Sequence, residues 1–390
     1  MFSSRLSESI EPNALTRAIG ARRAAGGTWL DLTETNPTTV GLDYPADVLA
    51  PLADARARRY EPEPLGMGVA REAIACDYAR RGRVVAPEHV VVTASTSEAY
   101  SLLFKLLCNP GDAVLVPQPS YPLFELLAGL EAVALRPYRL LEHDAWSIDR
   151  ASLTEAMAPN VRAVLVVSPN NPTGSMLRRD DLAWLADTCA RQRIALIADE
   201  VFVDYPLAAR AEAVAIAGDE PALTFALGGL SKSAGMPQVK LGWMAVGGPP
   251  ALVTAALARL ELICDTFLSV STPVQWAAPA LIDHGATIRA AIHARVRGNL
   301  AKLRETLAAH PALTLLAPEA GWSAVWQVPA TEPEEALVLR LFNTAGVLVH
   351  PGYFFDFARE AFLVTSLLPA PTIFDEALDR LMHALPGGAR

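Results

Sequence analysis

Between residues 66 and 265 the chain alternates short apolar runs with stretches of helical pattern, and few folds accommodate that rhythm. The runs lie at 90–93, 113–116, 132–135, 163–167, 194–198, 223–226 and 241–246. A parallel strand pair needs a long crossover between its members, and a helix is the usual crossover. Strands that alternate with helices therefore predict a mainly parallel sheet covered on both faces. The pattern changes after about residue 275. A long Arg/Ala/Leu-rich helix is expected over 285–309, with short strands near 314–316, 323–327 and 362–366. We expect an α/β protein with a large domain, its mainly parallel sheet sandwiched by helices, and a smaller α+β domain. The expected division is 1–48, 49–275 and 276–390. The first segment, with a helix over 13–25 and an extended piece at 29–33, joins the small domain.

Several polar residues stand just past the apolar runs, where open α/β sheets bind ligands. Asn171 lies in Pro-Asn-Asn-Pro-Thr-Gly, residues 169–174. Asp199 follows Ile-Ala-Leu-Ile-Ala, where a carboxylate needs a partner. Lys232 lies in Gly-Leu-Ser-Lys-Ser, residues 229–233. The chain has only four lysines, Lys105, Lys232, Lys240 and Lys302, against many arginines. A reactive amine must be able to lose its proton, which arginine cannot do. An amide, a carboxylate and a lysine in this order are what a pyridoxal 5'-phosphate site needs. Lys232 would form the Schiff base, Asp199 would keep the ring nitrogen protonated, and Asn171 would donate to the ring oxygen. Ser95, Thr96 and Ser97 stand at the start of a helix, whose free N–H groups and dipole suit a phosphate. The same residues serve equally as ordinary helix caps. Tyr121, between prolines in Pro-Gln-Pro-Ser-Tyr-Pro, can present its face to the ring.

Composition narrows the partners. Apolar residues make up 52% and charged ones 19%, as in a globular protein. A net charge of −9 argues against a general nucleic-acid binder. No apolar run approaches the roughly 20 residues of a membrane span. The first twenty residues hold no apolar core of a secretion signal. Cys76, Cys108, Cys189 and Cys264 are widely spaced, form no CxxC pair, and read as reduced thiols. The cytoplasm is the expected compartment, and no metal is expected.

These motifs resemble the class I/II aminotransferases, the aspartate-aminotransferase-like enzymes of pyridoxal-phosphate fold type I. The resemblance runs from about residue 30 to the end. It implies that Asn171 meets the ring oxygen, Asp199 the ring nitrogen, and Lys232 the aldehyde. It places Ser231 and Lys240 at the phosphate. It also implies a homodimer with shared active sites, Tyr60 reaching the neighbouring subunit's phosphate. The implied substrates are an amino acid and a 2-oxo acid. Four positions depart from the family pattern. Phe202 stands where a tyrosine usually donates to the ring oxygen. Lys240 replaces a phosphate-binding arginine, which loses the bidentate fork. Gly229 replaces a serine. Val364 stands where an arginine usually clamps the substrate carboxylate. Asn36, Arg359 and Tyr353 are candidates for the substrate side.

The expected reaction moves an amino group from an amino acid to a 2-oxo acid through Lys232. The alternative is another pyridoxal-phosphate reaction on the same fold, by a lyase, decarboxylase or oxidase. A regulator that binds the cofactor is expected to carry a DNA-binding module, whereas this chain starts at the catalytic domain. A dehydrogenase would carry GxGxxG after its first strand, and none is found there.

Overall fold

The computed structural model describes residues 3–6, 11–143, 145–208, 220–268 and 270–385. After a short strand β1 (Leu30–Asp31), eight strands build the large sheet. They are β2 (Val90–Thr93), β3 (Ala113–Gln118), β4 (Ala134–His143), β5 (Ala145–Ile148), β6 (Val161–Val167), β7 (Ala195–Asp199), β8 (Thr224–Gly229) and β9 (Gly242–Gly247). Their order is β2-β9-β8-β7-β6-β3-β4-β5. The run β8, β7, β6, β3, β4 is parallel throughout. Strand β9 runs against both neighbours, and β5 turns back on β4 at the edge. Each expected apolar run carries a strand. The hairpin strand β5 was not expected, because its four residues lie at an edge and only Trp146 is buried.

Side chains of each strand alternate between two cores. Val114 and Val116 pack with Leu103 and Phe104 of the helix Thr96–Leu107 and with Leu260 of the helix Pro250–Phe267. Ala113 and Leu115 face the other way, toward Leu185 and Cys189 of the helix Arg179–Gln192. Burial on both faces explains why the strands read as continuous apolar runs.

The remaining strands are β10 (Thr314–Leu316), β11 (Ser323–Gln327), β12 (Val347–Leu348), β13 (His350–Pro351) and β14 (Phe362–Ser366). Strands β10-β11-β14-β13 form an antiparallel sheet in that order. Strand β1 pairs in parallel with β12, tying the N-terminal segment to this region. One apolar cluster runs from Val90 and Trp243 of the large sheet to Trp326 and Leu363 of the small one.

The long helix covers Thr272–Ala308, 37 residues, and begins earlier than the sequence predicts. Pro279 and Gly285 look like breakers, yet the helix passes through both. Gly285 is there for close approach: a Cβ on it would stand 2.5 Å from the Ala234 Cβ. The division expected at 275/276 falls inside this helix.

Candidate active site

One cavity of about 310 Å³ opens at the C-terminal end of the parallel strands. Ser95, Thr96, Ser97, Tyr121, Asn171, Asp199, Ser231, Lys232 and Lys240 all line it. Nine residues expected from scattered motifs thus meet in one place. The reason is topological: β2, β3, β6, β7 and β8 point the same way, so the loops that follow them share one rim.

The helix Thr96–Leu107 starts at this rim. Ser95 caps it, its Oγ accepting from the Glu98 amide at 3.1 Å, while the Glu98 carboxylate accepts from the Ala94 amide. Capping does not exclude an anion here, because first-turn amides lack partners within the helix. Strand β9 passes close by: a Cβ on Gly242 would come within 2.9 Å of the Ser95 carbonyl carbon.

Asn170 and Asn171 divide their work. Asn170 is buried and braces the loop, its Nδ2 donating to Pro119 O (3.1 Å) and Thr173 Oγ1 (2.9 Å). Asn171 faces the cavity, and its Oδ1 accepts from Ser323 Oγ at 3.4 Å.

Asp199 ends β7 and is buried. Its Oδ2 accepts from the Tyr100 hydroxyl at 2.8 Å and its Oδ1 from the Val201 amide at 3.2 Å. Burial raises its pKa above the usual carboxylate value, and these two donors and Lys232 work against that rise.

Lys232 sits on the single helical turn Leu230–Ser233 after β8. Its Nζ lies 5.1 Å from the Trp322 ring centre and 5.7 Å from that of Phe202. Burial lowers its pKa, opposed by the charges of Asp199 and Glu34. The turn is fastened from outside. Tyr205 Oη donates to Lys232 O at 2.6 Å and Arg289 Nε to Ser233 O at 2.8 Å.

Four expected residues do not line the cavity. Tyr60 is 65% exposed. Asn36 is exposed and accepts from Thr38 N (3.1 Å) and Thr38 Oγ1 (2.7 Å). Arg359 is exposed, its guanidinium 5.2 Å from the Phe362 ring centre. The Tyr353 amide donates to Glu334 Oε2 at 3.0 Å. Val364 packs in an apolar cluster with Trp146, Val325 and Phe355. Among the described residues no arginine lines the cavity.

Sequence reasoning missed Thr35, Phe124, Trp322 and Ser323 on the lining, and Tyr100 behind Asp199. Trp322 and Ser323 enter from the small sheet, with no local signal to mark them. Thr35 adjoins Asn36, so the sequence points to this segment one residue away.

The lining fits pyridoxal phosphate. A helix N-terminus with three hydroxyl residues, a buried carboxylate, an amide and an amine face one space large enough for a ring. Fold and site together define an α/β protein with a cofactor-sized site at its strand ends. A family model described as aminotransferase class I and II matches residues 44–385. The chain belongs to that family, whose cofactor is pyridoxal 5'-phosphate.

An alanine aminotransferase from Mycobacterium bovis is 27% identical over 384 residues, covering 93% of this chain and 86% of the relative. An S-alkyl-thiohydroximate lyase from Arabidopsis thaliana is 30% identical over 243 residues, 60% of this chain. That match spans about half, 51%, of the plant enzyme. The structure of an alanine aminotransferase from Pyrococcus furiosus superposes with a TM-score of 0.85 at 24% identity, covering 98% of both chains. This last likeness concerns the fold.

Proposed function

We propose that the chain is a pyridoxal-phosphate-dependent aminotransferase that moves an amino group from an amino acid to a 2-oxo acid. The observation that carries this is the meeting of Lys232, Asp199, Asn171 and a helix N-terminus in one cavity. Family membership and the likeness to alanine aminotransferases support it.

When bound, the cofactor supplies an aldehyde carbon that takes the amino group and a ring that accepts the electron pair released at Cα. The chain supplies the rest. Ser95, Thr96 and Ser97, with Ser231 and Lys240, hold the phosphate. Tyr121 would lie against the ring, and Asn171 would donate to the ring oxygen. Asp199 holds a proton on the ring nitrogen. Lys232, half-buried on the cavity wall and less basic than an ordinary lysine, would take the proton from the substrate Cα and return it to the cofactor's aldehyde carbon. Phe202 and Trp322 wall the amine from solvent.

The chain further acts as a homodimer with shared sites, Tyr60 reaching the phosphate of the second copy. Its exposure fits that role. Among the described residues no helix is long and apolar enough to cross a membrane, and we place the protein in the cytoplasm.

A second reading, a lyase, decarboxylase or oxidase on the same cofactor, draws on two observations. Val364 lies in an apolar cluster where the family pattern has its carboxylate clamp, and one relative is a lyase.

The test is the visible absorption of the cofactor-loaded protein as single L-amino acids are added. Loss of the visible band, restored by a 2-oxo acid, supports transamination, and Lys232→Ala should abolish it. Release of ammonia, carbon dioxide or peroxide without amino transfer would favour the second reading.

A further inference from the structure

We propose that Tyr100 is a positioning residue for this reaction, its hydroxyl holding the Asp199 carboxylate as an anion aimed at the cofactor ring nitrogen. The proposal rests on the pyridoxal-phosphate reading above. Tyr100 lies on the helix Thr96–Leu107, just beyond the phosphate-facing residues, and is 2% exposed. Its ring is wedged between Phe104 and Phe124, with centroids 6.1 and 5.3 Å away. That packing leaves its hydroxyl one direction, and it donates to Asp199 Oδ2 at 2.8 Å. The Val201 amide binds the other oxygen at 3.2 Å. One donor on each oxygen fixes the plane of the carboxylate.

The need is electrostatic. Asp199 closes a strand that is otherwise apolar, and a buried carboxylate without donors takes up a proton. The titratable groups acting on it are Tyr100, Tyr121, Glu200 and Lys232. Glu200 favours the protonated form, and Lys232 favours the anion. The Lys232 charge is unavailable once its amine is engaged in the chemistry. Tyr100 and the Val201 amide then remain, and only Tyr100 is set by a side chain. Its own phenol stays protonated, because burial and the nearby Asp199 push its ionisation well above the ordinary value. It is therefore a permanent donor. A weaker grip on the anion shifts the shared proton from the ring nitrogen toward Asp199, and the ring then draws electrons less strongly.

The test uses the full chain loaded with pyridoxal phosphate labelled with ¹⁵N in its ring. Tyr100→Phe removes one oxygen and keeps the ring between its aromatic neighbours. A hydrogen bond to a charged group shifts such an equilibrium by roughly 10- to 100-fold, about one to two pKa units. The ring ¹⁵N signal should move toward its unprotonated position, and kcat should fall by a similar factor with KM little changed. In an Asp199→Asn background the same Tyr100→Phe change should add nothing. In the apoprotein, ¹³C NMR of Asp199 should show its pKa rise in Tyr100→Phe and fall with a fluorinated tyrosine, a stronger donor, at position 100. An unmoved ¹⁵N signal in a variant that binds cofactor normally would overturn the proposal. So would an equal loss of activity in the Asp199→Asn background, which would mark a packing role. A wild-type chain that takes up no pyridoxal phosphate would instead overturn the functional reading beneath it.

Discussion

Gly285 and Gly298 lie on the same helix, Thr272–Ala308, yet one substitution should act on them with opposite signs. In an exposed helix interior Ala is favoured over Gly by about 1 kcal/mol. Gly298 is exposed, and a Cβ added there meets nothing within 4 Å. Gly298→Ala should therefore stabilise by up to about 1 kcal/mol. At Gly285 the new Cβ would stand 2.5 Å from the Ala234 Cβ. Carbon atoms pack at about 3.5–4.0 Å, so the two backbones must part by about 1 Å. Neither alanine has a rotamer to yield. Ala234 is fully buried, and its segment is tied by Arg289 Nε to Ser233 O (2.8 Å), Met236 N to Leu230 O (2.9 Å) and Tyr44 Oη to Gly235 O (2.6 Å). Overpacking of this kind costs about 1–3 kcal/mol, and the ties put this case in the upper half. After the helix gain is subtracted, Gly285→Ala should destabilise by about 1–2 kcal/mol. Urea midpoints of the two apoproteins, compared with wild type at a shared m-value, give the answer. The displaced segment carries Lys232, so Gly285→Ala should also weaken cofactor uptake while Gly298→Ala leaves it alone. If Gly285→Ala raised the midpoint as Gly298→Ala does, the close approach of helix and lysine turn would be refuted.

Glu334 is 2% exposed and accepts from the amides of Tyr353 (3.0 Å) and Phe362 (2.7 Å), clipping the Gly352–Phe355 turn to β14. Glu334→Ala strands one buried donor, the Phe362 amide, and one half-buried donor, the Tyr353 amide, and should cost about 1–3 kcal/mol in urea unfolding, with Glu334→Gln milder; equal effects would discount the clip. Burial pushes the thiols of Cys108 and Cys189 up to about 12 and that of Cys264 up to about 11, whereas Cys76 is exposed. Iodoacetamide at mildly alkaline pH should thus label Cys76 first in the native protein, and mass spectrometry showing early labelling of Cys189 would contradict this. Phe202→Tyr adds a hydroxyl to the cavity that Asn171 also lines. As a donor to the ring oxygen it should lower the pH midpoint of the visible absorption change of the loaded protein. An unmoved midpoint would mean that the hydroxyl points elsewhere.

The large sheet was legible because its strands are buried on both faces and so appear as continuous apolar runs, as in Val161–Val167 and Ala195–Asp199. The candidate site was partly legible for the same reason. Asn171, Asp199 and Lys232 are polar interruptions at the ends of such runs, and a polar residue is conspicuous there. What the sequence could not settle was which interruptions meet. That followed from the shared direction of β2, β3, β6, β7 and β8, with β9 reversed among them.

Local pattern also hid residues whose role lies in distant contacts. Tyr100 looks like one more apolar face of its helix, and only the fold brings its hydroxyl to a carboxylate 99 residues away. Trp322 and Ser323 reach the cavity from the small sheet, and Gly285 reads as a helix breaker until Ala234 is packed against it. Sequence records burial and backbone preference, which are local. Partnership across the chain depends on packing, and only the tertiary structure decided it.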